Sequence, residues 1–204
     1  MGPVLGKSLV ENYYYGSTHF LGVLKGSSFF VDGYNLLRNS NVAITFHDAF
    51  LGVGGWNDFA PGLPYLLLDT HHYEVFDSGS LAMSSAAHVS TACSFANQML
   101  ATNKWTICGE WTGAQTDCAK WLNGLGVGAR YDGTYNYYGT GSSFIGSCVG
   151  KDVGTVAGLS ATDKSNIGHF IEAQLDAYEK GYNAGWIFWY VPSSRTSVEF
   201  SLIL

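Results

Sequence analysis

The chain has 204 residues, a formal net charge of −6, and 47% hydrophobic and 15% aromatic residues. This length can bury a sizeable core and fits one domain or part of a larger one. The ten lysines and arginines are scattered, so no basic stripe exists that could bind the phosphates of a nucleic acid. No apolar run of about 18 residues occurs, and we therefore expect no membrane-spanning helix.

The cysteines and the first residues of the chain give two further expectations. The cysteines lie at positions 93, 108, 118 and 148, with no Cys-x-x-Cys pair and no tight Cys/His spacing, so we expect no zinc site. Disulfides are plausible in an oxidising compartment. The sequence begins without the basic segment and sustained apolar core of a secretory signal, and we expect none there.

Apolar and helical patterns alternate along the chain. Residues 32–38 look like the end of a helix that leads into the first strand. Four short runs rich in apolar, β-branched or aromatic residues predict buried strands, at 42–46, 65–68, 105–108 and 186–189. Helical spacing predicts helices over 86–100 and 166–178, the second with Asp163 as a candidate N-cap.

This alternation predicts an α/β fold with a parallel sheet and helices on its faces. The continuously apolar strands favour the same arrangement. A doubly wound sheet would normally show a glycine-rich phosphate turn after a strand, and none is present. A (β/α)8 TIM barrel fits better, because polar residues collect where the strands end. Four strands make only half of such a barrel, which usually needs about 250 residues.

Polar and aromatic side chains follow each predicted strand. The first strand ends near His47 and Asp48, the second is followed by His71 and Tyr73, and the third ends at Glu110. In an extended segment, His71 and Tyr73 share one face and His72 points the other way. The pair could orient a carboxylate or a sugar hydroxyl, or it could be a core pair that satisfies backbone groups. Glu110 by itself is better explained as a salt-bridged or solvated glutamate.

The fourth strand ends at Trp189. A carboxylate, a hydrogen-bonding pair and an aromatic platform at successive strand ends favour glycoside chemistry. The carboxylate can attack or stabilise an oxocarbenium-like centre, and an indole can carry the apolar face of a sugar.

At these residues the chain resembles the fungal exo-1,3-β-glucanases of glycoside hydrolase family 5. The motifs include Leu-Asp-Thr-His-His-Tyr-Glu-Val-Phe at 68–76, Gly-Glu-Trp-Thr-Gly-Ala-Gln-Thr-Asp-Cys at 109–118 and Gly-Trp-Ile-Phe-Trp at 185–189. The resemblance covers most of residues 31–189 in the same order. It implies that Glu110 is the nucleophile and that His71 and Tyr73 are catalytic residues that orient it and bind the sugar. It also implies that Trp189 is the floor of the sugar subsite and that Phe76 lies at the cleft entrance.

The resemblance also implies the wider character of the protein. Residues 1–204 would be one partial catalytic domain, with the second half of a TIM barrel, strands 5–8 and their helices. A Cys118–Cys148 disulfide is implied, and Cys93 resembles a cysteine whose partner lies nearer the family's C-terminus. The family implies a β-glucan substrate, no cofactor or metal, a monomer, and an extracellular or cell-wall location.

Three departures from the family pattern limit this reading. The family's acid/base motif, Asn-Glu-Pro, does not occur in the sequence, and no remaining carboxylate falls on its position, whether Glu11, Asp48, Asp69 or Glu74. We therefore expect this chain to be inactive by itself. Residues 15–30 and 190–204 depart from the pattern as well, and we interpret them as an aberrant insertion and tail from retained intron sequence. The alternatives are a non-catalytic β-glucan-binding or cell-wall protein and a non-functional truncated gene product.

Overall fold

The computed structural model describes residues 29–152, 156, 159–180 and 183–189. The elements in chain order are α1 (Phe29–Leu37), β1 (Ile44–His47), a short 3-10 helix (Val53–Trp56), β2 (Leu66–His72), α2 (Ser78–Leu81), α3 (Ser85–Ala101), β3 (Trp105–Trp111), β4 (Asn136–Tyr137), β5 (Thr140–Gly141), α4 (Ala161–Tyr178) and β6 (Asn183–Phe188). None of these helices has the length and hydropathy needed to cross a membrane. The interpreted tail, 190–204, and most of the interpreted insertion, 15–28, lie outside the described residues.

The four predicted strands form one parallel sheet. Its order is β1-β2-β3-β6, with every neighbouring pair parallel. This confirms the α/β class and the place of each predicted strand. Within the described residues the sheet is open, with β1 and β6 at its edges, so closure into a barrel stays a prediction.

The predicted helices are present, but one predicted cap is wrong. The helix expected over 166–178 begins earlier, as α4, and its N-cap is Ser160 instead of Asp163. The Ser160 hydroxyl accepts a hydrogen bond from the amide of Asp163 (3.0 Å) and donates to its carboxylate (2.8 Å). Asp163 is therefore the third residue of the helix, where both its amide and its carboxylate contact the hydroxyl of the N-cap.

The main core lies between the sheet and helices α3 and α4. Along β2, buried and partly exposed residues alternate, because successive side chains point to opposite faces. The buried face of the sheet packs against both helices, and the members of this core include Leu66, Leu68, Cys108, Trp111, Phe95, Ala96, Met99, Ala177 and Tyr178. The other face of the sheet, here called the open face, carries Asp69 and His71.

A disulfide and a buried aspartate stabilise the long connection between β3 and α4. A disulfide joins Cys118 and Cys148, as the family resemblance implied, with a Cα–Cα distance of 5.3 Å. Next to it, the fully buried Asp117 accepts hydrogen bonds from the backbone amides of Arg130 (2.8 Å) and Tyr131 (3.0 Å). These contacts hold Tyr131 where it packs on the segment that follows β2.

Candidate functional site

A break in the strand register turns Glu110 toward the open face. Cys108 is still in register with β2, but the next pair joins His71 to Glu110, so Gly109 is an extra residue in β3. Side chains alternate along a strand, and this one-residue bulge therefore places Glu110 on the face opposite to the buried Cys108. Trp111, the next residue, is again buried. Without the bulge, Glu110 would point into the core.

Only glycine fits at the bulge. The Gly109 amide donates a hydrogen bond to Oδ1 of Asp69 at 3.0 Å. A Cβ atom at this position would collide with the Asp69 carboxylate. Close approach of a side chain to the backbone is one of the recognised reasons for glycine inside a strand. The glycine before Glu110 therefore has a defined structural role.

Tyr73 and His71 both reach the same oxygen of Glu110. The Tyr73 hydroxyl donates a hydrogen bond to Oε2 at 2.9 Å, and Nδ1 of His71 lies 3.3 Å from that atom. As the period-two pattern predicted, the two side chains face the same side. Burial, together with the hydrogen bond to Glu110, raises the pKa of Tyr73 far above its ordinary value. The phenol is thus a permanent donor to this carboxylate.

His71 lies between two carboxylates. Its Nε2 is 3.3 Å from Oδ2 of Asp69, while its Nδ1 faces Glu110. Burial acts to lower the pKa of His71, but the interactions with Asp69 and Glu110 outweigh it and raise this pKa above its ordinary value. A ring with an acidic partner on each nitrogen can donate to both only as the imidazolium.

A second histidine, His47, joins the site from the end of β1. Its ring centroid lies 4.4 Å from that of His71, edge to face. The Ala49 amide donates to Nδ1 of His47 at 3.0 Å, so this nitrogen is the unprotonated acceptor. Burial lowers the pKa of His47, and His71 acts in the same direction. Sequence reasoning placed His47 at a strand end but assigned it no role, although it is level with Asp69 in the parallel register.

The two aromatic residues predicted for the substrate cleft are placed differently. Phe76 packs edge to face on Tyr73, with ring centroids 5.3 Å apart, and Tyr73 in turn donates to Glu110. Trp189 follows β6 and its amide donates to the carbonyl of Trp111 at 2.8 Å, next to Glu110 in the chain. Its side chain is 44% exposed. Among the described contacts, none joins its indole to Glu110.

The opposite face of β2 carries a buried cluster that sequence reasoning missed. His72 points away from the open face, as predicted, and its Nδ1 lies 2.7 Å from the Tyr178 hydroxyl. Its Nε2 lies 3.2 Å from Glu74, whose other oxygen is 2.6 Å from Nδ1 of His88. Burial acts to raise the pKa of Glu74, but the interactions with His72 and His88 outweigh it and lower this pKa. His88 and Tyr178 come from α3 and α4, so only the tertiary fold brings the cluster together.

The described residues offer no arrangement for a metal ion. No group of three or more His, Cys, Asp or Glu side chains in this part of the chain has the geometry of a metal site. In the buried cluster, the histidines contact Glu74 directly.

Known proteins that resemble the chain are fungal enzymes. It is 52% identical to a glucan 1,3-beta-glucosidase of Blumeria graminis over 165 aligned residues, and this alignment covers 79% of the chain. It is 45% identical over 181 residues to a probable glucan 1,3-beta-glucosidase A of Aspergillus niger (88% of the chain), and 38% identical over 195 residues to glucan 1,3-beta-glucosidase I/II of Saccharomyces cerevisiae (93% of the chain). No family model matches the chain.

These matches involve only part of each relative. The chain spans 38% of the length of the Blumeria and Aspergillus proteins and 39% of that of the yeast protein. The identity nevertheless extends over most of the chain, and the resemblance recognised in the sequence motifs is thereby confirmed. The chain is a relative of the fungal glucan 1,3-beta-glucosidases and corresponds to a partial region of these glycoside hydrolases.

Proposed function

We propose that the chain carries the nucleophile side of a retaining glycosidase site that acts on β-1,3-glucan and releases glucose. The observation that supports this most directly is the environment of Glu110. One of its oxygens is held by the Tyr73 hydroxyl and faced by His71. Glu110 is thus held in one orientation on the open face of the sheet.

The proposed reaction has two steps. In the first, the Glu110 carboxylate attacks the anomeric carbon of the terminal glucose while the glycosidic carbon–oxygen bond breaks. The departing oxygen takes a proton from a second carboxylic acid. In the second step, water attacks the glucosyl ester, gives its proton to that second group and releases glucose and free Glu110. Tyr73 and His71 keep the nucleophile aligned, since they contact the same oxygen.

The aromatic residues would bind the sugar. Phe76 lies against Tyr73 and would line the cleft entrance. Trp189, at the end of the neighbouring strand, would provide the platform below the reacting glucose, because indole faces pack well on the apolar face of a sugar. We place the sheet in a TIM barrel as its second half, in a monomeric, extracellular or cell-wall protein.

The second carboxyl group of a retaining site must lie about 5–5.5 Å from the nucleophile. The family's Asn-Glu-Pro motif, which would supply it, does not occur in the 204 residues. A missing proton donor slows the first step by roughly 10²–10⁴-fold on an unactivated substrate. We therefore expect the chain by itself to release little or no glucose from laminarin.

The test uses a substrate that needs no proton donor. In a 2-deoxy-2-fluoro-β-glucoside of dinitrophenol, the dinitrophenolate leaves without being protonated. The fluorine slows hydrolysis of the glucosyl ester that forms on Glu110. We expect the purified 204-residue chain to become covalently labelled on the peptide that contains Glu110, as seen by mass spectrometry. Glu110→Gln should abolish labelling. Glu172→Gln, which changes an exposed glutamate of α4, should leave it unchanged.

The other outcomes separate this function from its alternatives. Labelling of a different carboxylate would overturn the role of Glu110. A chain that binds β-glucan without labelling, with binding lost in Trp189→Ala and kept in Glu110→Gln, would support the non-catalytic binding protein. Recovery of the chain only as aggregates, with no cooperative melt, would support a non-functional product.

A further inference from the structure

We propose that Asp69 is a positioning residue of the Glu110 site, with one carboxylate oxygen that holds the Gly109 bulge and another that holds the His71 ring. Neither the family resemblance nor the comparisons assign it a role. The inference rests on the proposed function only where it calls Glu110 the nucleophile.

The first oxygen acts on the backbone. The bulge leaves Gly109 as an extra residue in β3, and Oδ1 of Asp69 accepts its amide at 3.0 Å. Because Gly109 has no side chain, the Asp69 carboxylate can lie directly over it. The bulge is what places Glu110 on the open face, so Asp69 stabilises the conformation that presents the nucleophile.

The second oxygen acts on His71. Oδ2 of Asp69 lies 3.3 Å from Nε2 of His71, and the other ring nitrogen is 3.3 Å from Glu110. Asp69 thereby fixes the plane of the ring and favours its charged form. His71 in turn contacts the same Glu110 oxygen that accepts the hydrogen bond of Tyr73.

Asp69 therefore links the backbone next to the nucleophile to the histidine beside its carboxylate. The arrangement resembles the way in which a carboxylate behind a catalytic histidine fixes its orientation and charge. Asp69 touches His71 and Gly109, and it acts on Glu110 through them. The ionisable groups that face His71 are Asp69 of β2, Glu110 of β3, His47 at the end of β1, and Asp48 beyond it.

The experiment measures the pKa of His71 directly, in the absence of substrate. The chain, with ¹³C-labelled histidine, is titrated by NMR, and the His71 signal among the six histidines is assigned by its loss in His71→Gln. In Asp69→Asn an amide oxygen can still accept from Gly109, but the charge is gone. We expect the pKa of His71 to fall while Gly109 amide exchange stays close to that of the wild type.

Asp69→Ala removes both interactions. We expect the same fall in the pKa of His71 and, in addition, roughly tenfold faster exchange of the Gly109 amide, as loss of a hydrogen bond to a charged group predicts. Asp176→Asn is the control, because Asp176 is exposed and pairs with Lys180 on the surface. It should change neither quantity.

Two results would overturn the proposal. One is an identical His71 titration in Asp69→Asn and the wild type, and the other is unchanged Gly109 exchange in a folded Asp69→Ala. Should the alanine variant fail to fold, the asparagine titration decides the question. Because no sugar is involved, a wild type that shows the expected titration but is not labelled at Glu110 would refute the proposed function and leave the role of Asp69 intact.

Discussion

Two adjacent histidines on β2 serve opposite sides of the same sheet. His71 on the open face has carboxylates on both nitrogens, at 3.3 Å each, and its partners Asp69 and Glu110 are 23% and 31% exposed. His72 on the buried face contacts Glu74, which is 3% exposed. A histidine paired with a carboxylate is therefore partly solvated on the open face, whereas on the buried face it is enclosed in the core.

The two faces of the sheet also differ in their contribution to stability. Solvent screens the partly exposed pairs, and such pairs contribute about 0–1 kcal/mol to stability. Removal of one partner from a buried pair is far more costly, because it leaves a charge without compensation. We expect the buried face to determine the stability of this part of the sheet and the open face to determine its chemistry. Three experiments test that division.

The largest expected effect is on stability. Glu74→Ala leaves His72 and His88 without their carboxylate partner, and we expect the free energy of unfolding to fall by about 3–5 kcal/mol. Denaturant titration measures this. Glu172→Ala on the surface should stay within about 0.5 kcal/mol of the wild type. A loss below about 1 kcal/mol for Glu74→Ala would mean that the buried cluster is not the anchor of β2.

A smaller effect, on chemistry alone, is expected from Tyr73→Phe. This change removes the hydroxyl that donates to Glu110 and keeps the ring that packs on Phe76. The hydroxyl holds the attacking carboxylate in place, so labelling of Glu110 by the fluoroglucoside should slow by roughly tenfold or more, equivalent to a barrier higher by about 1.4 kcal/mol. The denaturation midpoint should barely move. Equal losses of stability and labelling would show that the two faces are not separable.

The smallest effect is a pH dependence of opposite sign on the two faces. The pKa of Glu74 is lowered in the folded state, so its contribution to stability is present above its unfolded pKa and is lost as pH falls through the folded value. The pKa of His71 is raised above 6.5. Its contribution is therefore present below 6.5 and is lost as pH rises through the folded value.

Denaturation across the acid and neutral ranges measures both contributions. Glu74→Gln should flatten the acid side of the stability profile, and His71→Gln should flatten the neutral side. If either variant flattened both the acid and the neutral side of the profile, the groups on the two faces of β2 would belong to a single coupled network. Exposed Asp176→Asn again supplies a comparison that should preserve the whole profile.

Much of this arrangement could be predicted from local pattern. Apolar runs located all four strands, and the period of two correctly separated His71 from His72. The bulge at Gly109 was not predicted, because register depends on the pairing of two strands that lie almost 40 residues apart in the chain. The glycine inside the strand pattern was the available signal.

The buried cluster was beyond sequence reasoning for a different reason. His88 reaches Glu74 from a helix, and Tyr178 reaches His72 across 106 residues of sequence. Helical spacing shows which face of α3 or α4 is apolar, but it does not show which strand residue that face meets. The misplaced cap of α4 has a local cause, since Ser160 and Asp163 are both good N-cap residues and either could have begun the helix.

Because β3 contains an extra residue, the site depends on the number of residues in that strand as well as on their identity. Insertion of one residue between Gly109 and Glu110 would leave Asp69, His71, Tyr73 and Glu110 all in the chain. If Gly109 remained the single bulged residue, the two sides of the strand beyond it would be exchanged, with Glu110 directed toward α3 and α4 and Trp111 toward the open face. A variant could thus contain every reactive group of the site and still lack the site itself.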